Sequence, residues 1–73
     1  MHITIKLGGD PHGRGIRSYV NLVGGNNEIV WTSQGHAKFY ARRKAHKLGK
    51  TMGIDVLDFT VSGSDPKVTH YTA

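Results

Sequence analysis

The sequence predicts a small α+β domain of order βββαβ, with an antiparallel sheet of three or four strands and one helix packed on a face. Three observations carry this. Residues 2–7 and 16–23 alternate apolar and polar side chains, the period of a half-buried strand. Gly24-Gly25-Asn26-Asn27 separates two such stretches, as a hairpin turn does. Residues 34–52 instead repeat apolar side chains at a helical spacing.

In chain order, Ile3, Ile5 and Leu7 lie on one face of the first strand, and His2, Thr4 and Lys6 on the other. The segment GGDPHGRG, residues 8–15, concentrates Gly and Pro and reads as a flexible loop that ends the ladder. Ile16, Ser18, Val20 and Leu22 then alternate with Arg17, Tyr19, Asn21 and Val23, and Glu28 to Ser33 supplies the third strand. The helix runs from about Gln34 or His36 to about Leu48 or Met52, with Thr32 or Ser33 as N-cap and Gly49 or Gly53 as stop signals. Ile54 to Val61 forms the last strand, in which Leu57, Phe59 and Val61 alternate with outward-facing Asp58 and Thr60. SGSDPK is a turn, and the end of the chain is a frayed tail or a short edge strand, so residues 62–73 are treated as a tail on a single domain spanning 1–73. Trp31 is assigned to the core, because a helix stripe made mostly of Ala leaves room for an indole.

Charge is distributed unevenly. Six of the ten Lys and Arg residues, namely Lys38, Arg42, Arg43, Lys44, Lys47 and Lys50, fall between Gln34 and Lys50 with no Asp or Glu, whereas the remaining four are outnumbered by the five acids. Like charges on one element repel each other, and a merely soluble helix normally gains from oppositely charged i,i+4 pairs. The cluster implies an acidic macromolecular partner. At about 100° per residue, Ala41, Ala45, Leu48 and Met52 form the core stripe. Opposite them Arg42, His46, Lys50, Arg43, His36 and Lys47 form a basic sector with Phe39 near its middle. Phe39, Arg42, Arg43, His46, Lys47 and Lys50 are the candidate binding surface, because cations meet phosphates or carboxylates while an aromatic ring stacks on a base or fills a protein pocket. Tyr40 falls at the stripe edge, and Lys44 must extend its ammonium to water. Arg14 and Arg17 are secondary contacts.

Other chemistry finds little support. The chain of 73 residues is 37% hydrophobic, which suffices for one modest core and leaves little interior for a catalytic cleft. The Gly-rich loop lacks the Lys-Ser/Thr ending of a P-loop, and a strand follows it. The five histidines show no i,i+4 spacing and no cysteine accompanies them, so no metal or other cofactor is expected. Asp55 and Asp58 read as ordinary strand carboxylates, and Ser33 and Ser62 lack a nucleophile context. The expectation is a non-enzymatic protein. No apolar run approaches the roughly 18 residues of a membrane span, and the N-terminus lacks a signal-peptide core, so a soluble protein of the bacterial cytoplasm is expected.

Tyr19–Lys47 resembles a family of small bacterial domains of unknown function whose hairpin carries a pattern like NGE-apolar-apolar-x-[ST]-x-G ahead of an Ala-containing helix. Asn27-Glu28-Ile29-Val30 and Thr32-Ser33-Gln34-Gly35 supply most of that pattern, with Asn27 where the family tends to have Gly. The resemblance implies hairpin-into-helix geometry and no activity. In size, charge and lack of catalytic residues the chain also resembles phage-encoded host-takeover proteins, in particular small regulators of bacterial RNA polymerase. That resemblance implies docking on the polymerase and altered initiation or termination, and it assigns no residues. Direct DNA or RNA binding through the basic helix is the alternative, and inhibition of a host-defence protein a further one. For docking on the polymerase, charge reversal at Arg42 and Arg43 is expected to abolish binding and leave the fold intact.

Overall fold

The computed structural model describes residues 1–61 and 64–71. The chain forms β1 (His2–Gly9), β2 (Ile16–Val23), β3 (Ile29–Thr32), α1 (Lys38–Met52), β4 (Asp55–Asp58) and β5 (Lys67–Thr69). It is an α+β fold with one helix across a five-stranded sheet of order β3-β2-β1-β4-β5. The strand count exceeds expectation because β5 pairs antiparallel with β4. The sheet is also mixed, since β1 and β4 are parallel. The connection explains this. A strand-helix-strand unit returns the chain in its original direction, so β4 follows β3, and β3 is parallel to β1 because both are antiparallel to β2.

Ile3, Ile5, Val20 and Val56 meet Ala41 and Ala45 in a fully buried core, with Leu22, Leu48, Ile54 and Tyr71 packed around it. Small residues let the helix come close. A Cβ at Gly49 would lie 2.6 Å from Val56 Cγ2 and 3.2 Å from Tyr71 Cδ2. The helix ends at Gly53, whose φ of 68° is open to glycine at little cost and whose N–H donates to Gly49 O.

Several local expectations are corrected. Gly8 and Gly9 do not end the ladder; they pair with Arg17 and Ile16. At Gly8 a Cβ would stand 3.2 Å from the Tyr19 ring, whose hydroxyl donates to Gly9 O at 3.0 Å. The loop beyond is closed by Asp10, which accepts from His12 N, Arg14 N and Arg14 Nε at 3.1, 3.2 and 2.6 Å. The helix starts at Lys38, with Ala37 as N-cap and no side-chain capping bond. Ser33 is engaged elsewhere, its hydroxyl accepting from Val20 N at 3.0 Å and donating to Gln34 O, while Ser18 and His36 exchange two 2.8 Å backbone bonds. Pairing with β2 therefore holds residues 33–36 extended.

The faces of β4 are the reverse of the expected ones. Ile3↔Val56 and Ile5↔Asp58 are in register, which turns Asp58 under the helix and leaves Leu57 on the opposite face. The terminal segment is the edge-strand alternative rather than a tail: β5 pairs with β4, and Tyr71 packs on the core. Ser62, Gly63, Thr72 and Ala73, part of the segment read as turn and tail, lie outside the described residues. Among the described residues no helix is long and apolar enough to cross a membrane.

Candidate functional site

All six cations of the basic run lie within α1, and burial of Ala41, Ala45 and Gly49 fixes the helix rotation. The crown facing away from the sheet carries Phe39, Arg43, Lys47 and Lys50, all exposed. Phe39 is 74% exposed, which decides between a covered ring and a presented one, and the Arg43 guanidinium stands 5.7 Å from its ring centroid. These four expected residues form one surface.

Arg42 and His46 do not belong to it. They lie on the flank above β4, about a quarter turn and a third of a turn from the core stripe. Arg42 Nε donates to Asp58 Oδ2 at 2.9 Å and its Nη2 to Thr60 Oγ1 at 3.0 Å. The Asp58 side chain is only 4% exposed and also accepts from the Thr60 N–H and hydroxyl. Burial pushes the Asp58 pKa up, but the Thr60 and Arg42 hydrogen bonds and the guanidinium charge outweigh it and hold the carboxyl below its ordinary value. His46 Nδ1 is hydrogen-bonded to the Tyr71 hydroxyl at 2.9 Å, with the rings edge-on. Both residues lock the helix to the β4–β5 side of the sheet. Reversing the charge at Arg42 therefore attacks the fold, contrary to the sequence expectation.

The secondary contacts are also displaced. Arg14 is held by Asp10, whose carboxyl is kept below its ordinary pKa chiefly by the hydrogen bond from Arg14. Arg17 alternates with Ser18 and Val20, and so projects from the sheet face away from the helix, its Cβ 3.0 Å from where a Cβ of Gly35 would lie. Neither adjoins the crown.

On the β3 side the crown continues into residues that sequence reasoning did not assign to the site. Trp31 is 42% exposed, not buried. It pairs with Leu22 on the helix side of the sheet, but β3 is the edge strand, so its indole lies at the flank of α1 rather than beneath it. A groove of about 450 Å³ opens there, floored by Leu22, Trp31, Leu48 and Met52 and flanked by Lys44 and Lys47. A depression of about 280 Å³ runs on from Trp31 to His36, and another of about 190 Å³ lies between Tyr40 and Arg43, both again bordered by Lys44. The His36 and Tyr40 rings are 4.9 Å apart. His36 is held below its ordinary pKa by burial first and then by the charges of Lys44 and Arg17. The relevant signal is the hairpin itself: among the described residues β3 pairs with β2 alone and the chain then leaves the sheet for the helix, so Trp31 stands at a sheet edge.

Among the described residues the surface offers cations and aromatic rings with no carboxylate between them. Of the six helix cations only Arg42 forms an ion pair among the described residues. No group of three or more His, Asp or Glu side chains is placed to hold a metal among the described residues. Comparison with protein-family models, curated proteins and solved structures finds no match to this chain.

Proposed function

We propose that the chain is a non-enzymatic binding module of the nucleic-acid machinery, and that its helix crown and β3 flank engage the phosphate backbone of DNA or RNA. The observation that carries this is the interleaving of Phe39, Tyr40 and Trp31 with Arg43, Lys44, Lys47 and Lys50 on one continuous surface to which no described residue adds a carboxylate. Cations alone would suit any polyanion. Rings set among them suit a polymer with a π-face beside each charge. The groups with shifted pKa values, Asp10, His36 and Asp58, are tied into three separate local structures, which supports a binding rather than a catalytic role. A chain without cysteine suits the reducing cytoplasm of a bacterial host.

A second reading, docking on bacterial RNA polymerase, draws on the groove. Its apolar floor between Lys44 and Lys47 would seat an apolar side chain from an acidic protein segment. Salt separates the two. Contact of Arg43, Lys44, Lys47 and Lys50 with single-strand phosphates gives a log–log salt slope of about −3, at roughly −0.7 per phosphate. Fluorescence anisotropy of a labelled oligonucleotide between low and physiological salt measures it. A slope near zero, or no binding, overturns the nucleic-acid reading; a purified polymerase that binds equally well after nuclease treatment favours the second.

A further inference from the structure

The groove beside Trp31 is more apolar than phosphate binding requires. Its floor is two aliphatic side chains, a methionine and an indole, and its only charged borders are Lys44 and Lys47. We infer that it is a base-stacking site for single-stranded nucleic acid, in which an unpaired base lies against the Trp31 indole while Lys44 and Lys47 meet the phosphates on either side. This rests on the nucleic-acid reading above and deepens it.

Charge and geometry select this occupant. In duplex nucleic acid the faces of each base are covered by its neighbours, so a duplex can lie on the crown but cannot place a base in a recess on the flank without unstacking it. An extended single strand has free base faces, and aromatic side chains hold them with little regard to sequence. The surface also provides successive positions. Lys47 borders the groove, Lys44 the depression running to His36 and Arg43 the one beside Tyr40, so phosphates along one strand would meet a different cation at each. The tilted His36–Tyr40 pair offers a second ring surface beyond Trp31. A second copy of the chain is a poor occupant, because a two-fold contact on this patch would set Lys44 and Lys47 against the same residues of a molecule also carrying net charge +5.

Trp31 is the sole tryptophan, so its emission reports the groove directly. The experiment titrates the full chain with an oligo-dT 12-mer, an abasic 12-mer of equal charge and a 12-bp duplex, following both indole emission and the anisotropy of a labelled strand. The inference expects oligo-dT to quench Trp31 and to bind about 5- to 100-fold more tightly than the abasic strand. W31L should lose that margin between oligo-dT and the abasic strand, while W31F should retain most of it, with circular dichroism confirming that both variants fold. Equal binding of oligo-dT and abasic strand without quenching overturns the stacking site and leaves the nucleic-acid reading standing. Absence of salt-sensitive binding to all three overturns both. Quenching that depends on protein concentration alone identifies self-association as the occupant and also overturns the inference.

Discussion

Replacing Arg42 with Ala should destabilise the fold far more than replacing its neighbour Arg43, although the two are adjacent in a run that looks uniformly basic. Asp58 is 3% exposed, and Arg42 is the only cation paired with it among the described residues. Removing one partner of a fully buried pair costs about 3–5 kcal/mol, and a hydrogen bond to a charged group contributes about 1.5–3 kcal/mol. The Arg42 side chain is 36% exposed, so water partly screens the pair and can hydrate the carboxylate left behind, and Thr60 still donates to it. The expected cost is therefore about 2 kcal/mol, below the range for a fully buried pair and within that for a hydrogen bond to a charged group. Against a total of about 4–11 kcal/mol for a chain of this length, that lowers the melting temperature by about 8–16 °C. R43A, on the exposed crown, should stay within about 0.5 kcal/mol of the parent. Urea unfolding followed by far-UV circular dichroism measures both. Repeating R42A in a D58N background should shrink its cost, because the pair is already broken. Equal midpoints for R42A and R43A, or an undiminished cost of R42A beside D58N, would refute the reasoning.

Gly49→Ala should destabilise by about 1–3 kcal/mol despite alanine's better helix propensity, since its methyl would stand 2.6 Å from Val56 Cγ2 and 3.1 Å from Ile54 O; thermal melts check this. The His36 pKa lies below its ordinary 6.5 in the folded chain, so below that pH the unfolded state binds more protons and stability falls until the folded pKa is passed; H36Q should remove this slope in urea titrations across pH 4.5–7.5. The Asp58 pKa lies below 3.8 in the folded chain, so its stabilisation is present above that pH and is lost as pH falls through the folded value; D58N should lack this acid step. Reversing the crown cations as R43E/K47E should leave the urea midpoint nearly unchanged and abolish oligonucleotide binding in anisotropy titrations.

Local periodicity made the strands, the hairpin and the helix legible in the sequence, and the net positive run located one wall of the candidate site. What was not legible depended on lateral position and register. Alternation in β4 separates Leu57 from Asp58 but does not say which face is inside; pairing of Ile5 with Asp58 decides that, and Arg42 makes the burial tolerable. A cation with an unseen carboxylate partner looks in sequence like a free one, which is why Arg42 was grouped with Arg43. Trp31 was misplaced for a related reason. Its hydrophobicity favours burial, but β3 is an edge strand and the space under Ala41 and Ala45 is already filled by Ile3, Ile5 and Val20. The indole consequently reaches the flank of the helix, where it completes a surface that charge alone only half described.

Amide chemical-shift mapping tests the location of that surface most directly. In a titration of isotopically labelled protein with a single-stranded oligonucleotide, perturbations are predicted at Phe39, Tyr40, Arg43, Lys44, Lys47 and the Trp31 indole N–H, with Arg42, Asp58 and the sheet face away from the helix, where the Lys6 ammonium stands 5.1 Å from the Phe59 ring centroid, unmoved. Perturbations concentrated around Lys6, Arg17 and Phe59, with the helix crown silent, would contradict the account.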